Sequence, residues 1–515
     1  FPSRTESYRR VPPSRLDPPS TAPWTCACSC SLSGTRLARG IAQFRIPRTD
    51  CTDAPPRVVI NSRACRSRDK GLVLGVFCGE EGARLTATAE RYDRGVDGKL
   101  SELLRLSPVP ALGECRVFFD VDDDFGYVAL AGLGAECLAR DSGEQLDETR
   151  EAARAAAAVG ALALLPLRPT ALHVEALGNA EAAAEGATLG TWTFCEYRRN
   201  PKPMPALHLH DDCDETGWRL GELQAEAQNL ARYLQEMPAN LLDPTSFAKI
   251  AVELLCELDI NVEVMTRGWA ADHDMCGFAA SGERTVRPPL YVEASYYGAG
   301  RAPPVVLVGK GVTFDCGARP PEELRHMRGD MAGAAVALAT LRAAARLRLP
   351  VNLRALLPLC EPTDPREPWG CLLLADSLAR ARLRKPRAVV SVGTMSRSLC
   401  AFLGGAACAL YTNDERLARH AAAASASSGD RVWRMPLWEC YSSGAARSED
   451  PRAESPCCAA YLRGYVGECA WLHLDTYNVA YSKGRDFPYL TRGMTGRPTR
   501  TLLQLLSRVI RDDSL

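Results

Sequence analysis

The stretch from Val308 to Asp330 reads VGKGVTFDCGARPPEELRHMRGD and holds a lysine and two aspartates in a pattern with chemical meaning. Val305 to Lys310 is a continuous apolar run that closes on the lysine, as expected of a central strand covered on both faces. Lys310 stands at its carboxyl end, Asp315 follows five residues on, and Asp330 begins the helix predicted next. The carboxyl ends of central parallel strands are where such folds place their sites. Two carboxylates beside a neutral amine suit a divalent cation such as Zn²⁺, Mn²⁺ or Mg²⁺. A plain strand-end ion pair of Lys310 with Asp315 accounts for the same residues.

Two other clusters invite a metal and argue for it less well. Cys26, Cys28 and Cys30 form C-x-C-x-C, which lacks the C-x-x-C zinc spacing and has no histidine nearby. His208 and His210 beside Asp211 and Asp212 have no partners at helical spacing, and a solvated acidic loop explains them.

The elements that must position Lys310 alternate regularly. Gly71–Phe77 (GLVLGVF) reads as a buried strand, followed by strands at Cys115–Phe119 and Tyr127–Gly132, a helix from about Leu146 to Leu165, a strand near Ala171–Ala176 and a helix over Glu181–Gly190. The polar, proline-bearing stretch Asn200–Asp214 reads as a boundary. Beyond it come helices across Trp218–Gln235 and Ser246–Leu258, a strand at Asn261–Met265, the Lys310 strand, and a helix at Met331–Leu347. Strands at Asn352–Leu359 and Ala388–Val392 alternate with helices at Cys371–Ala381 and Asp414–Ser427, and a helix after Pro498 closes the chain. Such alternation predicts an α/β protein with a largely parallel sheet. It divides into an extension over 1–68, an N-terminal α/β domain over 69–205 and a C-terminal domain over 206–515.

Composition narrows the function class. The 515 residues carry 62 basic and 62 acidic side chains, and zero net charge argues against a dedicated nucleic-acid binder. No run approaches the ~18 apolar residues of a membrane span. The first fifty residues are rich in Arg, Ser and Pro, a composition resembling a mitochondrial transit segment or a disordered leader. The 21 scattered cysteines predict a reduced, intracellular protein, cytoplasmic or mitochondrial. Only seven of the 62 basic residues are lysine, so a retained lysine marks a position where arginine does not serve.

From Gly71 onward the chain resembles the leucyl aminopeptidases, also called cytosol aminopeptidases. The matching segments include QNLARYLQEMPANLLDPTSFAKI (Gln228 to Ile250), LVGKGVTFD (Leu307 to Asp315), LRLPVNLRALLPLCE (Leu347 to Glu361), SGDRVWRMPLWECY (Ser428 to Tyr441), WLHLD (Trp471 to Asp475) and PYLTRGMTGRPTRTL (Pro488 to Leu502). The resemblance implies a smaller N-terminal α/β domain, a C-terminal catalytic-type domain, and a homohexamer built as a dimer of trimers. It also implies two divalent metals, Zn or Mn, that activate water against the first peptide bond of a substrate. Lys310 and Asp315 fall on two metal-ligand positions, and Asp330 in MRGD falls on a third.

The remaining positions depart from the family. Glu322 stands where the family has the lysine that polarises the scissile carbonyl, and Pro320 and Pro321 re-route that loop. Alignment back from LLLADSL (Leu372 to Leu378) places Glu367 on a metal-binding aspartate, Trp369 on the metal-bridging glutamate, and Cys371 on the arginine that holds a bicarbonate base. The family's site-lining T-L-T-G-A loop appears as Thr394 to Ser398. Losing one electrostatic stabiliser typically costs ~10² to 10³ in rate. With several lost together, the resemblance implies a hexameric pseudoenzyme, a structural or binding element in which Lys310, Asp315, Asp330 and Glu367 are vestigial, with metal absent or weakly bound. The alternative is an active divalent-metal aminopeptidase with a rearranged centre.

Overall fold

A computed structural model describes residues 69–79, 82–136, 140–141, 143–200, 203–211, 214–281, 287–313, 328–361, 369–442 and 451–512, with the backbone alone at 24–25, 140–141, 369 and 451. Asp315, Glu322 and Glu367 lie outside these residues, as do Cys26, Cys28, Cys30 and Asp212.

The first sheet holds β1 (Lys70–Gly79), β2 (Cys115–Phe119), β3 (Tyr127–Gly134), β4 (Ala171–Val174) and β5 (Ala206–Leu209) in the order β2-β3-β1-β4-β5, with Gly82–Leu85 folding back on β1. The neighbours β1/β3, β1/β4 and β4/β5 are parallel. β5 lies beyond the boundary read at position 205, so the first sheet reaches at least to Leu209. The helices α1 (Glu148–Leu164) and α2 (Ala180–Thr191) cover one face. Asp147 and Asn179 start them by accepting the amides of Arg150 and Ala182, the usual N-cap satisfaction of orphan donors. Alanine and glycine let these helices approach closely. A Cβ added to Gly186 would sit 2.0 Å from the Arg154 carbonyl oxygen.

α2 also packs on α3 (Glu215–Glu236), which leads into the second unit. The ten-stranded sheet there contains β6 (Asn261–Thr266), β7 (Leu290–Tyr297), β8 (Val305–Gly309), β9 (Asn352–Cys360), β10 (Ala388–Gly393), β11 (Cys408–Thr412), β12 (Val432–Arg434) and β13 (Trp471–Asp475). Their order is β6-β7-β9-β8-β10-β13-β11-β12; Trp24–Thr25 pairs outside β6, and Gly311–Val312 pairs with β9. The central run β9-β8-β10-β13 is parallel, whereas β6/β7, β7/β9 and β11/β13 are antiparallel. The helices α4 (Ala332–Arg346), α5 (Trp369–Leu383), α6 (Glu454–Val466) and α7 (Thr499–Val509) flank it.

β8 is buried throughout because both faces are covered. Val305 and Leu307 join the core beneath α4, while Val306 and Val308 join the core beneath α5, the alternation a strand imposes. Between the two units Glu185 of α2 lies 2.7 Å from Arg154 and 2.8 Å from Arg500, all three fully buried. Arg500 also faces Asp430 at 3.3 Å, and Arg497 lies 3.0 Å from the same carboxylate.

Candidate functional site

Lys310 is placed by its backbone. Its amide donates to Val392 of β10 at 2.9 Å, and its carbonyl accepts from Ala334 at the start of α4, also at 2.9 Å. Glycine makes that approach possible: a Cβ on Gly309 would lie 2.5 Å from the Gly333 carbonyl oxygen, and one on Gly333 would lie 2.2 Å from that of Val392. The sequence GK followed by AGA is therefore what seats the helix start against two strand ends. The stem of Lys310 then passes α5, where a Cβ on Gly370 would be 2.4 Å from Lys310 Cε.

Lys310 Nζ donates to Asp330 Oδ1 at 2.6 Å, to the Thr394 carbonyl at 2.7 Å and to Thr394 Oγ1 at 3.2 Å. Thr394 Oγ1 donates in turn to Asp330 Oδ1 at 2.6 Å. Asp330 lies in the short 3₁₀ turn Arg328–Met331, just ahead of the helix the sequence predicts it to begin. Among the described residues Lys310 pairs with Asp330; the pairing read with Asp315 lies outside them.

Of the four candidate metal ligands read from the sequence, Lys310 and Asp330 are described here, whereas Asp315 and Glu367 lie outside the described residues. Asp330 is the counter-ion of Lys310. Among the described residues no three of His, Cys, Asp and Glu gather where they could hold a metal ion.

The loop that carries Thr394 is fixed from below. Asp475, at the end of β13, accepts from Met395 N at 2.9 Å, from Ser455 Oγ at 2.6 Å and from Tyr477 N at 3.2 Å. Tyr411 donates to Ser455 at 2.9 Å. Burial pushes the Asp475 carboxyl up to about 6, against the pull of those donors. Nearby, His473 is fully buried on Ser391 Oγ at 2.9 Å, and burial pushes its imidazole down to about 3, so it is neutral. A small cleft is lined by Gly329, Asp330, Thr394, Tyr477, Ala480, Tyr481 and Met494.

Cys371, in the first turn of α5, is disulfide-bonded to Cys458 of α6, with Cα atoms 6.4 Å apart. This corrects the expectation of uniformly reduced cysteines. The reduced default rests on compartment alone, whereas pairing depends on two helices 87 residues apart meeting in space. Glu361, which closes the LRALLPLCE run, is held by Arg287 at 2.8 Å. Asp475, Ser455 and Cys458 carry no spacing signal toward Lys310; only the strand-like WLHLD ending on an acid hints at Asp475.

His208 pairs in register with His173 across β4 and β5, their rings 5.2 Å apart. Asp211 instead accepts from Thr88 Oγ1 at 2.7 Å and from Ala176 N at 3.4 Å. Asp211 thus ties local structure together. No helix among the described residues is long and apolar enough to cross a membrane.

This two-domain architecture, with a lysine at the end of the central parallel strand, is that of a metallopeptidase fold. The catalytic-domain model of the cytosol aminopeptidase family matches residues 229–364 and 367–503, and its N-terminal-domain model matches 73–201. A cytosol aminopeptidase of Xenopus tropicalis is 37% identical over 506 residues, covering 88% of this chain and 97% of the relative. The Homo sapiens cytosol aminopeptidase is 35% identical over 497 residues, covering 88% and 96%. The chain belongs to the cytosol aminopeptidase family. Among solved structures, the bottromycin maturation enzyme BotP superposes with a TM-score of 0.72 at 29% identity, over 86% of this chain and 100% of its own. A tomato leucine aminopeptidase variant shares the fold, with a TM-score of 0.70 at 21% identity over 86% and 94%.

Proposed function

We propose that the chain is a leucyl-aminopeptidase-like pseudoenzyme, a hexameric structural or binding element whose two-metal site is degraded. The observation that carries this reading is the Cys371–Cys458 disulfide. The position assigned to the base-holding arginine bears a neutral, buried half-cystine, which cannot hold a bicarbonate anion. Trp369 at the bridging-glutamate position and Glu322 at the carbonyl-polarising lysine support the same reading. Both domain models of the family match the chain, and on this reading the body is kept while the chemistry is lost.

A metal-dependent aminopeptidase with a rearranged centre is the competing reading. It draws on a structure of BotP in complex with Mn, with a TM-score of 0.70 to this chain. Elemental analysis after incubation with Mn²⁺ or Zn²⁺, beside a peptide-hydrolysis assay, separates the two. The pseudoenzyme takes up no stoichiometric metal and releases no N-terminal residue; stoichiometric metal with turnover would establish the enzyme. The relatives are named for the cytosol, and we place this chain inside the cell, in the cytoplasm or mitochondrion. Its partners on this reading are five further copies, a hexamer that could serve as the unit of a larger structural assembly, without nucleic acid or membrane. Light scattering is expected to return the mass of six 55.9 kDa chains, and a single-chain mass would contradict the assembly.

A further inference from the structure

The disulfide closes a ring of contacts around Lys310. On one side Cys371 follows Gly370, whose backbone lies against the Lys310 stem. On the other, Cys458 stands one helical turn beyond Ser455, which holds Asp475 at 2.6 Å. Asp475 holds Met395 N at 2.9 Å, and Thr394, the preceding residue, accepts two of the Lys310 donors. Lys310, α5, the disulfide, α6, Asp475 and the Thr394 loop therefore form one circuit. Its links are packing contacts, hydrogen bonds and stretches of backbone, and the sulfur–sulfur bond is the one that redox chemistry can break.

We propose that Cys371–Cys458 is a redox-dependent clasp: oxidised, it locks α5 to α6 and so fixes the Thr394–Ser398 loop over Lys310; reduced, it lets the helices part and the loop loosen. The inference rests on the contact circuit and holds whether or not the site cuts peptides. Opening takes two exchange steps with a dithiol reductant. A thiolate of the dithiol attacks one cysteine sulfur, the cysteine sulfur–sulfur bond breaks, and the released cysteine takes up a proton. The second thiol of the reductant then displaces the other cysteine. Two cysteine thiols and a cyclic disulfide result, with two electrons and two protons passed to the protein. A small-molecule disulfide such as oxidised glutathione reverses the process. Both cysteines are buried, 8% and 3% exposed, so exchange requires α5 or α6 to open first.

The full chain is equilibrated with oxidised glutathione, and half is then reduced with dithiothreitol. Alkylation with peptide mapping and amide hydrogen exchange are read on both samples. The expected result is a Cys371–Cys458 cross-linked peptide in the oxidised sample only. With it comes an at least tenfold acceleration of exchange over 393–398 on reduction, and no change over Lys70–Gly79 in the distant sheet. The C371S/C458S double variant is expected to exchange at the fast rate with or without dithiol. Alkylation of both cysteines in the oxidised sample, or equal exchange over 393–398 in the two states, overturns the proposal. The comparison of oxidised with reduced wild-type protein decides the matter even where the double variant does not fold.

Discussion

Lys310 Nζ lies 2.6 Å from Asp330 Oδ1, and among the described residues the two other acceptors around that amine both belong to Thr394. The site's lysine is thereby an internal cross-link between the end of β8, the 3₁₀ turn before α4 and the loop after β10. Stability then depends on an ammonium of this length. Lys310→Met leaves Asp330 without its counter-charge and is expected to cost about 1–3 kcal/mol, discounted because Asp330 is 30% exposed. Lys310→Arg is expected to cost a similar amount, since the Gly370 backbone against the lysine stem leaves no room for a planar fork. Thermal denaturation of the two variants checks this, and wild-type stability in Lys310→Arg would contradict it.

Glu185 is the hinge of the buried charges between the two units. Burial alone would push its carboxyl up, but Arg500 and Arg154 hold it below the usual range. Glu185→Ala leaves two guanidiniums buried without that partner, and a loss of about 3–5 kcal/mol is expected. Urea denaturation followed in both units reads it. A midpoint within experimental error of the wild type would show that water or Asp430 compensates.

Gly186 decides how closely α1 and α2 pack. Its absent Cβ would be 2.0 Å from backbone that cannot move aside, so Gly186→Ala must separate the helices. A cost of about 1–3 kcal/mol or more is expected, despite the better helix propensity of alanine. Neutral or raised stability would mean that the interface is looser than drawn.

Glu175 gives the N-terminal unit a pH dependence. It is 3% exposed and accepts from Gly75 N at 2.8 Å; burial pushes its carboxyl up to about 7, against the Thr86 hydroxyl and that amide. A carboxyl raised in the folded state binds its proton more tightly there than in the unfolded chain. Its contribution to stability therefore falls as pH rises from about 4.5 to about 7. Glu175→Gln keeps an acceptor for Gly75 and removes the charge. It is expected to stabilise by up to about 3 kcal/mol at pH 8 and by little at pH 4.5. Denaturation midpoints at the two pH values check the sign; destabilisation at pH 8 would contradict it.

What the sequence made legible was what periodicity and apolar runs encode. The runs GLVLGVF and VVLVGK became β1 and β8, and the placement of Lys310 at a strand end followed from the second. β7 did not announce itself, because LYVEASYY carries a buried charge at Glu293. That charge is tolerated only because Arg354 of β9, Arg380 of α5 and Arg384 just beyond α5 converge on it. The same holds at the site. Lys310 and Asp330 could be singled out by type and strand position, but their pairing required the 3₁₀ turn. The disulfide and the Asp475–Ser455 support join residues too far apart in sequence for any local pattern to link them.

The central claim is that this family member keeps the body of an aminopeptidase without its chemistry. The most direct test is the rate of leucyl-p-nitroanilide hydrolysis by the purified full chain with saturating Mn²⁺, measured beside the Xenopus tropicalis relative. The account predicts kcat/KM at least about 10³-fold below that relative, as expected when several transition-state groups are lost together. A rate within tenfold of it would contradict the account.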